Sequence, residues 1–247
     1  MVGLGTVINM VAVVLGASLG VAFGNRLPER TTRTVTDALG LLTLVIGALN
    51  IVALRDEDYV AAVGSGVTLL IVLAALLVGG VAGSLLRIEH RLESAGGWLQ
   101  RRFADDDSGA SRARFIEGFV DASLVFCIGP LAIIGSLSDG LGRGIDQLLL
   151  KSSMDGFAAL AFAASLGWGV AASAVSVGVY QGLLTALAVL LGSLLPGAVV
   201  ASITATGGVL LLGVGLRLLQ VRAVPVGDLL PALILAPALT AVLMSFI

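Results

Sequence analysis

A lysine and an aspartate, Lys151 and Asp155, stand four residues apart in the run KSSMDGFAALAFAASLGWG. On a helix that spacing puts both on one face, close enough to pair, although Lys before Asp is the weaker order. A charge at bilayer depth is costly, and such groups usually face a cavity or each other. Two readings of the pair stay open. Asp155 accepts a cation or a proton, or binds a substrate, with Lys151 as its switchable counter-ion. Alternatively the two form an ion pair at the outer interface, with Lys151 snorkelling. Below Asp155 runs a strip of small residues, Gly156, Ala159 and Ala163, that permits close helix approach.

A second carboxylate, Asp121, enters early in the predicted helix FIEGFVDASLVFCIGPLAIIGSLSDGL. It serves either an intramembrane site or a helix start, where the dipole favours negative charge. Within the same helix Gly129 and Pro130 mark a break, since proline removes a backbone donor and frees a carbonyl one turn back. Broken helices in membranes line cavities or lie buried in protein. Asp121-Ala122 and Asp155-Gly156 each place a carboxylate and a small residue before an apolar helix. Two such carboxylates meeting near a pseudo-twofold axis would suit a proton or a hard cation. Three amides, Asn9, Asn50 and Gln181, interrupt other apolar runs. Each is either interhelical glue or the lining of a polar path.

Other chemistries are poorly supplied. The single cysteine, Cys127, lies among Val125, Phe126 and Ile128 and reads as an inert packing thiol, and the single histidine, His90, lies in a polar stretch. No Cys/His metal cluster can be assembled, no disulfide can close within the chain, and no glycine-rich stretch leads into a phosphate loop. No nucleophile is paired with a base. The expectation is a protein that is not an enzyme and carries no metal or cofactor. A net charge of −2 argues against nucleic acid.

The elements that position these residues follow from composition. Of 247 residues 57% are hydrophobic and 12% charged, and mean hydropathy is +1.07. Soluble domains carry roughly 25% charged residues. The apolar residues fall in blocks able to cross a hydrocarbon core, which takes about 20 helical residues. Runs such as VTLLIVLAALLVGGV do not alternate, so they are helices and not barrel strands. The expected fold is all-α: a polytopic membrane helix bundle with about eight transmembrane helices in a single domain over residues 1–247. The helices are predicted at Gly5–Phe23, Asp37–Leu54, Ala61–Leu86, Glu117–Leu137, a block from Leu148 to Leu195 that folds back near Gly167–Gly169, Ser202–Leu219 and Leu229–Phe246. The start, MVGLGTVINMVAVVLG, lacks the positive region of a signal peptide and reads as a retained first helix.

With both termini outside, the basic residues gather on the cytoplasmic side: Arg26, Arg30, Arg33, six arginines from Arg87 to Arg114, then Arg217 and Arg222. Arg55, Arg143 and Lys151 fall outside or near the outer edge, with the acidic loop Asp56-Glu57-Asp58. The polar stretch Arg87–Arg114 is a cytoplasmic loop containing Asp105-Asp106-Asp107. Within it Ile88–Phe103 is predicted as an amphipathic surface helix through Leu92, Trp98, Leu99 and Phe103, with a solvated linker as the alternative. Ala38–Arg55 resembles Ala205–Arg222, Val63-Gly64 matches Val226-Gly227, and Val14–Leu19 resembles Leu190–Leu195, in helices of opposite direction. That is either an inverted repeat or the likeness of any two helices rich in Leu, Gly and Val.

GTVIN at Gly5–Asn9, DASLVFCIGPLAIIGSLSDGL at Asp121–Leu141, LLLKSSMDGFAALAFAASLGWGV at Leu148–Val170 and VYQG at Val179–Gly182 resemble the bacterial YdfK/YqgA-like inner-membrane family. The resemblance covers nearly the whole chain. It implies location and architecture, because the family carries a domain-of-unknown-function label. SMDGFAALAFAASLG is also similar to Asp-containing helices of small cation exporters, manganese exporters included. That similarity implies a role for Asp155, but their equal spacing and second-repeat partners are not evident here. The expectation is a secondary transporter or channel for a small solute or ion, cation- or proton-coupled, in the cytoplasmic (inner) membrane. Its site would be drawn from Asp155, Lys151, Asp121, Gln181, Asn9 and Asn50, beside the Gly129-Pro130 break. The alternative is a membrane scaffold or accessory subunit without transport. The expected partners are the lipid bilayer and the solute, and small-residue helix faces would suit a homodimer.

Overall fold

The computed structural model describes residues 2–24, 28–103, 109–191 and 195–246. Twelve α-helices and one 3-10 turn account for the regular structure of these residues, with no strand among them. The helices are α1 Leu4–Gly24, α2 Glu29–Ile51, α3 Glu57–Val63, α4 Val67–Leu86, α5 Ile88–Phe103, α6 Gly109–Cys127, α7 Pro130–Gly140, α8 Asp146–Leu166, α9 Gly169–Leu191, α10 Gly197–Leu218, α11 Val226–Leu229 and α12 Ala232–Met244. The 3-10 turn, Val52–Arg55, follows α2.

Six segments are long and apolar enough to cross a membrane, and a seventh is reached if the bent pair α6–α7 counts as one span. The expected eighth, α8, has the length of a span at 21 residues, but Lys151, Ser152, Ser153 and Asp155 lower its mean hydropathy. The exterior is the oily surface. Leu85 is 80%, Leu190 83% and Phe157 78% exposed, whereas Asn9, Asp121 and Gln181 are fully buried. A water-facing protein rarely exposes such large apolar surface, and a lipid-facing one does so throughout, keeping small and polar residues between helices.

Several boundaries correct the expectations from sequence. The predicted helix Ala61–Leu86 is two: α3 ends at Gly64, whose φ of 90° favours glycine, and α4 begins at Val67. The acidic stretch read as an external loop starts α3, with the Asp56 side chain accepting the Tyr59 N–H. Most of the polar stretch Arg87–Arg114 is helical, as α5 and the start of α6. Arg26, Asp105-Asp106-Asp107, residues 192–194 and the side chains of Leu99 and Phe103 lie outside the described residues. The helix predicted from Glu117 to Leu137 begins at Gly109, stops at Cys127 and resumes at Pro130, bent by 66°. Proline therefore opens the new helix, at a position that needs no N–H, and does not kink a continuous one. The fold-back stands where the sequence puts it. Gly167 closes α8 with φ 76°, donating its N–H to the Ala163 carbonyl, and α9 begins at Gly169.

The chain forms two compact units. The first gathers Met1–Leu39, Leu92–Cys127 and Leu131–Leu194. In it α1 runs beside α8 in the same direction: a Cβ at Gly16, Gly20 or Gly24 would strike the backbone of Gly156, Leu160 or Ala164 in turn. The absence of side chains on this stripe of α1 lets the two backbones touch. Similarly α6 runs with α9, since Phe115 meets Gly169 and the Ser123 hydroxyl bonds that of Ser176 at 2.9 Å.

The second unit gathers Gly40–Arg91, Ile128–Pro130 and Leu195–Ile247. Here the later part of α2 crosses α10 in the opposite direction. Gly40 lies against Leu219 and Gly215, and Gly47 against Leu212 and Gly208; reciprocally, Gly208 lies against Ile51 and Gly47, and Gly215 against Leu44 and Gly40. In the same unit α4 runs opposite to α11 and α12, with Gly83 on Asp228 and Gly79 on Ala232. The glycine faces of α1 and α10 are thus occupied inside the chain.

Candidate functional site

The first unit holds the polar centre. Residues 151 and 155 share a face of α8, and both are 7% exposed. Lys151 Nζ donates to Asp155 Oδ1 at 2.9 Å and to Oδ2 at 2.7 Å. From α1, brought close by its glycine stripe, Asn9 Nδ2 donates to Oδ2 at 2.9 Å. Asp155 therefore has both oxygens engaged and its charge balanced. The two side chains are each only 9% exposed.

The same unit holds buried groups whose hydrogen-bonding capacity is unspent. Asn9 Oδ1, the Thr6 and Ser136 hydroxyls and both polar atoms of the Gln181 amide find no partner among the described residues. Gln181 shares a face of α9 with Gly178, which receives the Met10 side chain of α1, and with Thr185, whose hydroxyl donates to the Ser136 carbonyl of α7 at 3.2 Å. Gly5 of α1 and Gly135 of α7 both pack on Leu148, one turn before Lys151. So α1, α7, α8 and α9 pack together in this unit, each contributing buried polar side chains.

The other expected residues are placed as follows. Asp121 is fully buried, well inside α6 and six residues before Cys127. It does not stand at a helix start, because the helix begins at Gly109. Asn50 belongs to the second unit, where it lies against Gly208, and its Nδ2 has no partner among the described residues. No group of three or more His, Cys, Asp or Glu able to hold a metal occurs among the described residues.

Two arrangements went unread in the sequence. Asp139 is 3% exposed and accepts the N–H groups of Gly3 and Gly5, both at 3.1 Å, capping the start of α1 from α7. In the second unit Glu89 bonds Arg217 Nη1 and the Gly227 N–H, both at 2.6 Å, while Asp228 Oδ1 accepts the Glu89 N–H at 2.9 Å. Each carboxylate caps the other's helix, a reciprocity that no local motif announces.

Comparison with known proteins adds the lineage. The family described as "Protein of unknown function (DUF554)" matches residues 4–241. The uncharacterized protein YqgA of Escherichia coli (strain K12) is 32% identical over 238 residues, covering 96% of each chain. The uncharacterized membrane protein YdfK of Bacillus subtilis (strain 168) is 27% identical over 243 residues, 98% of this chain and 97% of the relative. No solved structure matches. With its helical architecture, apolar exterior and near-complete coverage by the family, the chain belongs to the DUF554 family of membrane proteins.

Proposed function

We propose that the protein is a secondary transporter for a small solute or ion in the cytoplasmic membrane, working by alternating access around Lys151, Asp155 and Asn9. The observation that carries this reading is a buried, fully balanced charge pair on α8, joined by an amide from α1, in a chain whose α6 and α7 form a broken helix. Charges persist inside membranes where they bind or move something, and broken helices supply the hinge. The pair is shut off from the exterior in this conformation. A transporter passes through such an occluded state between its two open ones.

The reading includes α8 as an eighth span, both termini outside and an inverted repeat. The pair directions support it, since eight spans would make α1 parallel to α8, α6 parallel to α9, α2 opposite to α10 and α4 opposite to α12, and the contacts run that way. The reciprocal Gly40–Gly47 and Gly208–Gly215 contact is what a local twofold would produce between two repeats. No catalytic step is invoked.

A scaffold role is the second reading. It is favoured by the same sealing of Lys151 and Asp155 and by the glycine-tight seam between α1 and α8. Reconstituted vesicles decide between them. Flux of cations and small organic solutes is measured for the unaltered protein and for Asp155→Asn. Transport requires at least one solute whose flux the substitution abolishes. Equal flux for every solute removes Asp155 from the site, and no flux at all favours the scaffold.

A further inference from the structure

The Lys151–Asp155 pair limits what can open it. The two charges cancel, and both Asp155 oxygens are engaged. A lone cation arriving at Asp155 would displace an ammonium that then faces it with like charge. A lone anion arriving at Lys151 would strand the carboxylate. A buried charge deprived of its partner is strongly unfavourable, whereas a ligand carrying both charges repairs the pair as it breaks it. Of the neighbouring groups, Asp139 on α7 is occupied by Gly3 and Gly5, and α1 offers no ionisable side chain. Neutral donors and acceptors remain: Asn9 Oδ1, both ends of the Gln181 amide and the Thr6 and Ser136 hydroxyls, all in buried residues. One balanced pair touched by a neutral amide, in a unit whose other unspent groups are neutral, matches a small polar molecule of zero net charge.

We infer that the site takes a small zwitterion of amino-acid size, its ammonium held by Asp155 and its carboxylate by Lys151. The inference rests on the transporter reading and names its substrate class. No proton or covalent bond changes hands: one ion pair opens and two form. Asn9, which already bonds Asp155 Oδ2, orients the ammonium end, and Gln181 offers both a donor and an acceptor to the remainder of the ligand.

The test divides one ligand into its halves. The unaltered full chain in proteoliposomes is given L-alanine, then ethylammonium and propionate separately and together, then sodium and potassium ions. The other common protein amino acids follow. Flux and, in detergent, the shift in melting temperature are read for each. The expected result is saturable flux and a raised melting temperature with at least one amino acid, and at least about tenfold weaker responses to the half-molecules and alkali ions. Asp155→Asn and Lys151→Gln each abolish the amino-acid response. The half-molecule comparison uses unaltered protein, so a folding defect in either variant leaves the conclusion intact. Comparable responses to ethylammonium, propionate or an alkali ion overturn the zwitterion while transport stands. Silence toward every solute overturns both.

Discussion

Asp155 and Lys151 are the residues on which most depends, and their energetics can be separated from their function. Removing one member of a buried pair leaves an uncompensated charge, at a cost of about 3–5 kcal/mol, while replacing both with apolar residues of similar volume is often neutral. Asp155→Leu alone should therefore lower the melting temperature sharply in detergent, and Lys151→Met with Asp155→Leu should recover most of the loss. If the double variant is no better than the single, the pair is held by more than charge balance. Gln181 gives a second residue-scale prediction. A buried amide without partners costs about 1–3 kcal/mol. Gln181→Leu should raise the melting temperature yet reduce flux, the exchange of stability for activity expected at a binding group. A fall in melting temperature would mean that ordered water already satisfies the amide. Lys151, Asp155 and Asn9 were legible as candidates because each is a polar residue in an oily run. Their union was not, because it needs α1 laid along α8, far apart in sequence. Asp139 was passed over because SDGL reads as a polar helix end, although its carboxylate is buried and caps α1.

The elements owe their positions to glycine more than to large apolar side chains. At Gly16 an added Cβ would run into the Gly156 carbonyl, backbone that cannot move aside without separating the two helices. Gly16→Leu should abolish the α1–α8 seam, seen as loss of monodisperse protein on size exclusion and of any flux. Gly182 has open space where its Cβ would stand, so Gly182→Ala should behave as wild type or gain slightly in stability, because alanine favours the helix by about 1 kcal/mol. Equal effects from the two substitutions would refute the seam. The fold-back at Gly167 was legible because the apolar block is too long for one span and a glycine pair marks its middle. The division between α3 and α4 was not. Gly64-Ser65-Gly66 interrupts the apolar run, but glycine and serine also stand inside membrane helices, and a second signal lay just upstream, in an Asp at the N-cap followed by Glu57 and Asp58 in the first turn. The break at Gly129-Pro130 was read correctly as a break, yet its outcome, a restarted helix, depends on what α7 packs against.

At the scale of the whole molecule, the distribution of charge and the directions of the packed pairs make one claim about orientation. Parallel packing of α1 with α8 and antiparallel packing of α2 with α10 hold only if an even number of crossings lies between the members of each opposed pair and an odd number between those of each parallel one. Eight crossings satisfy both and gather the arginines on one side, as the excess of basic residues in cytoplasmic loops requires. If α8 did not cross, α9 and α10 would reverse with respect to the first helices and the arginines would divide between compartments. Single cysteines placed in a Cys127→Ser background test this. Arg101→Cys and Arg222→Cys, which flank α8, should react with a membrane-impermeant maleimide only after the cells are opened, and Asp56→Cys in intact cells. The first two positions labelling from opposite faces would remove α8 as a span, and with it the membrane-embedded setting that makes a buried Lys151–Asp155 pair a transport site.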